Sequence, residues 1–309
     1  MSRSHAVLSR RAFLGALACV GGAAALGISP AWGASPHTKP IPASGEQLPV
    51  IGMGTWITFN VGELESLRNQ RAEILSVFFR RGGRIIDSSP MYGTAEEVVG
   101  HCLERLDEPE DMFAATKVWT RLGGGGREQM ATSRKLWGVN NFELMQVHNL
   151  VEWRTHLRTL RDEKERGRVR YIGVTTSHGR RHEELEAIMR HEPIDFVQLT
   201  YNILDREAEA RLLPLAAERG IAVIANRPFR QKRLIRRFQG QPLPGWTGEI
   251  DCANWPQFLL KFIVSRPEVT CTIPATSQVE HMHENMGALY GRLPDPAMRE
   301  RMVRYVEGL

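Results

Sequence analysis

Short runs of β-branched and other apolar residues alternate, from Leu48 onward, with segments in which apolar residues recur at every third or fourth position. Leu185, Ile188 and Met189 have this spacing, which places them on one face of a helix. Continuous apolar runs such as residues 221–225 indicate strands that are buried on both faces. The eight runs that we predict to be strands are residues 50–55, 84–88, 112–118, 143–148, 170–175, 195–200, 221–226 and 269–274.

Strands that alternate with helices at about 25–30 residues per unit indicate parallel strands joined by crossover helices. Eight such units close into a barrel, whereas an open doubly wound sheet usually has about five or six strands. The predicted fold class is therefore α/β, a (β/α)8 TIM barrel, which forms a single domain over residues 34–309. The ordinary Gly and Pro content of the 309-residue chain excludes collagen-like and low-complexity classes.

The first 33 residues are predicted to stand apart from this fold. Arg10 and Arg11 precede a weakly apolar, Ala- and Gly-rich run at residues 12–28, and small residues follow at positions 31–33. Paired arginines before such a run are typical of the bacterial twin-arginine export signal. An uncleaved membrane anchor is the alternative, but the run is shorter than the ~20 apolar residues of a spanning helix. We predict a twin-arginine signal peptide at residues 1–33, read by the export machinery, and a periplasmic or exported mature protein without stable membrane insertion.

Removing this segment leaves a chain with little net charge. The segment carries three arginines and no acidic residue, so the remainder holds 37 basic and 35 acidic residues. This balance does not favour nucleic-acid binding. Cys102, Cys252 and Cys271 stand far apart and match neither a disulfide framework nor a zinc pattern, so no metal is predicted.

Four chemically distinctive residues lie at the ends of three consecutive predicted strands. Asp87 ends the second strand and Tyr92 follows it, while Lys117 and His148 end the third and fourth. In a TIM barrel the carboxyl ends of the strands form the face that carries the chemistry. Each residue alone has a structural alternative, such as a capping Asp or a satisfied buried His. A Lys at the end of a buried strand needs a partner or a task, however, and the convergence of all four favours a catalytic site.

These residue types suit the reduction of a carbonyl group, which needs a hydride donor and a proton for the developing alkoxide. A free phenol has a pKa of about 10 and donates its proton reluctantly near neutrality. We expect the ammonium of Lys117 to make Tyr92 a better acid while Asp87 holds that ammonium in place. His148 is expected to hydrogen-bond the carbonyl oxygen. A metal-dependent hydrolase is disfavoured, because Asp87 and His148 have no third ligand at a plausible strand end.

The chain resembles the aldo/keto reductase family over nearly all of residues 48–290. The matching stretches are Gly52–Trp56, Asp87–Gly93, Thr116–Trp119, Val147–Asn149, Tyr171–Thr175, Gln198–Asn202, Ile273–Ser277 and Glu284–Asn285. Each stretch is short, but their order and spacing are specific. The resemblance implies an NAD(P)H-dependent reductase of aldehydes or ketones, with Asp87, Tyr92, Lys117 and His148 as its catalytic tetrad.

The resemblance also implies where the nicotinamide lies. It places Gln198 and the hydroxyls of Thr175 and Thr176 against the carboxamide, and Tyr201 under the nicotinamide ring. An amide side chain can donate to and accept from a carboxamide, and an aromatic ring can stack on a flat heterocycle. Simple core packing is the alternative for Tyr201.

No GxGxxG loop follows the first strand, so a Rossmann-type phosphate site is not predicted. The phosphates are expected at the ends of the seventh and eighth strands, where Arg227, Arg230 and Lys232 belong to a dense basic cluster; a solvated helix face is the alternative. Relatives that prefer NADP usually carry Lys or Arg on the eighth-strand loop, whereas residues 275–281 contain neither. The predicted cofactor is therefore NADP or NAD. Further candidates for its phosphate and adenine contacts are Thr276, Ser277, His281, Glu284 and Asn285.

The predicted substrate pocket is apolar and is walled by Trp56, Met91 and Trp119, with Gly54 and Thr55 on the cofactor side. Few residues follow the eighth helix, so the pocket is expected to be open. The sequence does not identify the small carbonyl substrate.

Two functions fit these features. The first is a reductase that is loaded with nucleotide before export. The alternative is an exported nucleotide-binding or sensing subunit on the same fold, with little or no turnover. The intact tetrad favours the reductase, because a protein that only binds nucleotide has no need of both Tyr92 and Lys117.

Overall fold

A hairpin that the hydrophobic pattern did not predict precedes the barrel. The computed structural model describes residues 35–107, 111–121 and 124–309, and the predicted signal peptide lies outside these residues. The hairpin consists of the antiparallel strands β1 (Thr38–Pro40) and β2 (Gln47–Pro49). Its Ile41 and Leu48 are fully buried among side chains of the barrel interior. Strands of three residues with proline at one end are too short to show an alternating pattern.

All eight predicted barrel strands are present and parallel. They are β3 (Met53–Gly54), β4 (Ile85–Asp87), β5 (Phe113–Val118), β6 (Phe142–Val147), β7 (Val169–Thr175), β8 (Phe196–Thr200), β9 (Ala222–Asn226) and β10 (Cys271–Thr272). Each strand pairs with the next along the chain. Backbone hydrogen bonds join the region of β3, the first barrel strand, to the region of β10, the last. They run from Gly52 N to Thr272 O (2.8 Å) and from Gly54 N to Pro274 O (3.1 Å). The predicted TIM barrel is confirmed.

The described residues form ten α-helices, at least one after each barrel strand. They are α1 (Glu65–Arg80), α2 (Ala95–Arg105), α3 (Gly126–Trp137), α4 (Trp153–Glu165), α5 (His182–His191), α6 (Leu212–Arg219), α7 (Arg233–Phe238), α8 (Trp255–Val264), α9 (Val279–Gly287) and α10 (Pro296–Glu307). Local signals start several of them. The side chain of Asn254 caps α8 by accepting from Gln257 N, and Asp295 caps α10 in the same way through Met298 N.

The interior of the barrel changes from apolar to polar along the strands. Every second residue of a strand points to the same side, and the interior cluster at the amino ends of the strands includes Ile85, Phe113, Leu144, Tyr171 and Phe196. The same alternation continues towards the carboxyl ends. There, the buried inward positions are taken by Asp87, Lys117, Gln146 and Gln198.

No helix in the part of the chain that the structure describes is long and apolar enough to cross a membrane. Within residues 35–107, 111–121 and 124–309, no three His, Cys, Asp or Glu side chains are grouped as metal ligands would be. Cys102, Cys252 and Cys271 are buried and unpaired with one another.

Candidate active site

A cavity of about 660 Å³ opens at the carboxyl ends of the strands, a size typical of small-molecule sites. Asp87, Tyr92 and His148 line it, as do Trp56 and Met91 of the predicted substrate wall. Gly54 and Thr55 also line it. The barrel therefore brings together the residues that the sequence assigned to chemistry, on the face where TIM-barrel enzymes carry it.

Lys117 lies behind this surface and is fully buried against Asp87. Its Nζ donates to Asp87 Oδ2 at 2.6 Å and to Ser88 O at 2.7 Å. The other carboxylate oxygen, Asp87 Oδ1, accepts from Gln146 Nε2 (3.2 Å) and Gln198 Nε2 (3.0 Å). Burial lowers the pKa of Lys117, and the charge of Asp87 opposes that shift. Asp87 is thus the centre of a buried polar network that fixes the ammonium.

Tyr92 is held over this pair by a turn that requires glycine at the next position. Gly93 has φ +63°, and a Cβ at this residue would clash with the side chain of Asn60. Asn60 Oδ1 also accepts from Thr94 N at 3.0 Å, which ties the turn to the loop after β3. The Nζ of Lys117 lies 5.2 Å from the centroid of the Tyr92 ring.

The structure corrects one expectation about Tyr92. Lys117 was expected to lower the pKa of the phenol, but burial and then the charge of Asp87 raise that pKa well above 10. The reason is that Lys117 is paired with Asp87 at 2.6 Å, so the positive charge of the ammonium does not outweigh burial and the negative charge of Asp87 in the resting site. Tyr92 is therefore held as the neutral phenol, the form that can donate a proton.

His148 is buried beside Tyr92, with the two ring centroids 5.6 Å apart and the ring planes at 84°. Its Nδ1 lies 2.7 Å from Ser89 Oγ. Burial and the nearby charge of Lys117 lower the pKa of His148 well below 6.5. The imidazole is therefore neutral near pH 7, and a neutral ring carries one N–H that can direct a carbonyl oxygen.

Three of the residues predicted to contact the nicotinamide line the cavity: Thr175, Thr176 and Gln198. The hydroxyl of Thr175 accepts from Asn149 N at 2.9 Å, which holds the loop after His148. Asn226 also lines the cavity, and the sequence did not point to it. Its Nδ2 donates to Thr176 O at 2.8 Å, so it braces the threonine pair.

Tyr201 is not in the cavity wall, contrary to its predicted place under the nicotinamide ring. The side chain is fully buried and stacks on Phe262, with ring centroids 6.1 Å apart. Its hydroxyl accepts from Arg299 at 2.6 Å and donates to Glu209. These contacts correspond to core packing, the alternative that the sequence left open.

The basic cluster divides into residues that face the cavity and one that does not. Arg227 and Lys232 line the cavity, whereas Arg230 is paired with Asp205. The Nε and Nη1 of Arg227 are buried and have no hydrogen-bond partner among the described residues. Because an unpaired buried guanidinium is costly, these two nitrogens suit an anionic ligand.

The sequence did not point to a second basic group on the loop after β7. His178, Arg180 and Arg181 line the cavity there, and Arg181 Nη1 donates to Asn149 O at 2.8 Å. The charges of Arg227 and Arg180 contribute, after burial, to lowering the pKa of His178. The signal was present in the sequence as a basic run directly after the fifth barrel strand.

The remaining predicted contacts lie outside the cavity wall. Trp119 does not line the cavity, and its backbone is bonded to Gln129 of α3. No residue after Ala275 lines the cavity among those described. The predicted contacts of the phosphates and the adenine end lie in the loop and helix beyond that point, and they stay predictions. They are Thr276, Ser277, His281, Glu284 and Asn285.

Comparison with known proteins agrees with the barrel fold. The family model for the Aldo/keto reductase family matches residues 50–245, which include the four positions that the sequence predicts as a catalytic tetrad. The chain is 24% identical to the NADH-specific methylglyoxal reductase of Escherichia coli (strain K12), with 83% of this chain and 94% of that protein aligned. It is 28% identical to methylglyoxal reductase YeaE of the same strain, over 81% and 89% of the two chains. It is also similar to the crystal structure of an aldo/keto reductase from Klebsiella pneumoniae in complex with NADP and acetate, with a TM-score of 0.68, 22% identity and coverage of 84% and 92%.

Proposed function

This chain belongs to the aldo/keto reductase family, and we propose that it reduces an aldehyde or ketone with NADH or NADPH, using Tyr92 as the proton donor. The observation that carries the proposal is the contact of Tyr92 and His148 in one cavity, above the buried Lys117–Asp87 pair. A neutral phenol beside a neutral imidazole offers two donors to one carbonyl oxygen.

A reduced nicotinamide, when bound, supplies the hydride to the carbonyl carbon. His148 directs the carbonyl oxygen by hydrogen bonding, and Tyr92 Oη gives its proton to the developing alkoxide. The raised pKa of Tyr92 keeps that proton available until the alkoxide forms. Lys117 then stabilises the phenolate that remains, while Asp87 keeps the ammonium in position.

The cavity suits the nicotinamide dinucleotide that this reaction needs. Arg227 lines the cavity together with Arg180 and Lys232, and two of its nitrogens have no partner among the described residues; a pyrophosphate bound there would offer charge-assisted hydrogen bonds to this guanidinium. Thr175 and Thr176, with Asn226 bracing Thr176, also line the cavity, and we propose that they hold the nicotinamide. One relative is named as NADH-specific and one similar structure holds NADP, so both nucleotides are proposed.

Arg227 and Arg230 provide a matched test of the phosphate site. Arg227→Ala is expected to weaken nucleotide binding by about tenfold or more, because it removes the unpartnered guanidinium. Arg230→Ala should change the dissociation constant much less, since Arg230 already has Asp205 as its partner. Titration of intrinsic tryptophan fluorescence with NADH and NADPH measures both constants. Equal losses of nucleotide affinity in the two variants would contradict the assignment of Arg227 to the phosphate site.

The proposed reaction is tested with purified protein, NADH or NADPH, and methylglyoxal as the first substrate, because two relatives are named for that reduction. Tyr92→Phe should lower kcat by about 10³-fold while nucleotide still binds. Turnover by Tyr92→Phe at the parent rate would refute the role of Tyr92. Tightly retained nucleotide without turnover of any carbonyl would instead favour the nucleotide-binding or sensing subunit.

We also propose that residues 1–33 direct twin-arginine export of the folded, nucleotide-loaded protein. Support comes from the sequence of that segment alone. Replacing Arg10 and Arg11 together by Lys should keep the protein in the cytoplasm, as measured by cell fractionation. Unchanged export of that variant would contradict the assignment.

A further inference from the structure

Ser89 is a fully buried hydroxyl in direct contact with His148, and the sequence did not single it out. It follows β4 and caps the short 3-10 turn Pro90–Tyr92, where its Oγ accepts from Met91 N at 3.2 Å. The same oxygen lies 2.7 Å from Nδ1 of His148. One side chain therefore contacts both the turn that carries Tyr92 and the imidazole that faces Tyr92.

Counting the hydrogens at Ser89 decides the direction of its bond to His148. A serine hydroxyl has one hydrogen to donate. Its oxygen already accepts from Met91 N, and Nδ1 of His148 is its only other partner among the described residues. If Nδ1 carried a hydrogen, the buried serine hydrogen would have no acceptor, which is costly. The hydroxyl therefore donates to Nδ1.

A neutral imidazole with an unprotonated Nδ1 carries its hydrogen on Nε2. Nε2 has no hydrogen bond within the described part of the chain, and His148 lines the cavity. We propose that Ser89 is a positioning residue that holds His148 in the Nε2–H tautomer, so that the ring presents a donor to the carbonyl oxygen. This inference rests on the proposed reductase function, but it concerns a state of the ring that exists without turnover.

The ionisable groups that share the rim with His148 are Asp87 on β4, Tyr92 on the turn and Lys117 on β5. Asp87 and Lys117 satisfy each other at 2.6 Å, and Tyr92 contacts the imidazole edge to face. None of the three hydrogen-bonds either ring nitrogen in the described structure, so Ser89 is the group placed to select the tautomer. A donor to Nδ1 also opposes protonation of that nitrogen.

The test is the nitrogen-15 spectrum of histidine-labelled protein, with the signals of His148 assigned by their loss in His148→Gln. The parent should show a protonated Nε2 and an unprotonated, hydrogen-bonded Nδ1. Ser89→Ala should give a mixture of tautomers, and Ser89→Thr, which keeps the hydroxyl, should restore the parent pattern. Ser88→Ala is the matched control, because Ser88 is also buried but bonds Thr55 and not His148. A protonated Nδ1 in the parent protein overturns the proposal, whatever the variants do.

Kinetics give a second readout. Ser89→Ala should lower kcat/KM for the carbonyl by about tenfold, the lower end of the effect seen when a group that orients a metal-binding histidine is lost, with the nucleotide dissociation constant unchanged. The fall of kcat/KM on the acid side of its pH profile should move to higher pH in Ser89→Ala, because the neutral imidazole loses a stabilising donor and its pKa rises. An unchanged tautomer and pH profile in Ser89→Ala would contradict the proposal. If the parent reduces no carbonyl, the reductase function fails, while the spectrum still decides the role of Ser89.

Discussion

The two ends of the barrel interior are built from the same strands with opposite chemistry. At the amino ends Ile85, Phe113 and Leu144 pack with the buried residues of the β1–β2 hairpin. Two or four residues further along the same strands, the inward positions hold Asp87, Lys117 and Gln146. At the apolar end each contact is small and interchangeable, so loss of one is graded by the volume removed. At the polar end each group depends on a particular partner.

Loss of one group at the polar end is therefore expected to lower both activity and stability. Loss of one contact at the apolar end should lower stability alone, in proportion to the volume removed. Lys117→Met removes the ammonium and leaves the carboxylate of Asp87 buried without its charged partner. We expect a loss of about 3 kcal/mol in the free energy of unfolding and a fall in kcat of about 10³-fold. Urea denaturation and steady-state kinetics measure the two effects.

A double variant separates these two effects. Asp87→Asn combined with Lys117→Met removes both charges but keeps an amide oxygen for Gln146 and Gln198. It should recover most of the lost stability and none of the activity, because replacing a whole buried ion pair is often neutral. If Lys117→Met is as stable as the parent protein, the buried Asp87–Lys117 pair does not contribute to stability as proposed.

At the apolar end, Leu144→Ala should cost a similar amount of stability with no loss of chemistry. Leu144 is fully buried in the interior cluster, and truncation of such a leucine costs about 2–5 kcal/mol. Its kcat, measured on folded protein, should stay within about twofold of the parent, since the cavity lies at the other end of the strands. A large drop in kcat for Leu144→Ala would show that the two ends are coupled.

The sequence predicted the polar end well because strand periodicity and barrel geometry act together. A residue at the end of an apolar run lies at the carboxyl end of a strand, and in a barrel all such ends share one rim. Asp87, Lys117 and His148 follow from that argument without any knowledge of contacts. Tyr92 follows from its place directly after the second strand. The family-matched stretches then restricted the chemistry to carbonyl reduction.

Features that depend on contacts between distant residues could not be predicted in this way. The pairing of Arg230 with Asp205, and the burial of Tyr201 against Arg299, involve partners that no local pattern identifies. The pKa of Tyr92 went in the opposite direction to the expectation, because the sign depends on how completely Asp87 neutralises Lys117. Ser89 was missed because a serine after a strand carries no signal until its neighbour is known.

The polar end is also expected to make the stability of the protein depend on pH, through His148. The pKa of His148 is held well below 6.5 in the folded protein, whereas the unfolded chain takes up a proton near pH 6.5. The stabilisation from the neutral ring is therefore present above pH 6.5 and is lost progressively below it. Between pH 7.5 and 5.5 this residue should account for a loss of stability on the order of 1 kcal/mol.

His148→Gln should abolish that part of the pH dependence, which denaturant titrations at the two pH values measure as a difference between variant and parent. The kcat/KM profile should show no fall at pH 6.5, because the neutral ring persists to lower pH. A pH dependence of stability identical in His148→Gln and the parent would mean that the ring titrates normally.

The smallest expected effect concerns the contact between the apolar interior at the amino ends of the strands and the β1–β2 hairpin. Tyr171 stacks on Phe113 in the apolar layer, and its hydroxyl reaches Ser44 Oγ (2.7 Å) and Glu46 Oε2 (3.0 Å) in the hairpin turn. Tyr171→Phe keeps the ring and removes only these bonds, so it should cost about 0.5 kcal/mol and leave kcat/KM unchanged. Denaturant midpoints measured beside the kinetics test both statements. A change in kcat/KM without a change in stability would reverse the comparison, since it would make the hairpin end a determinant of chemistry at the opposite rim.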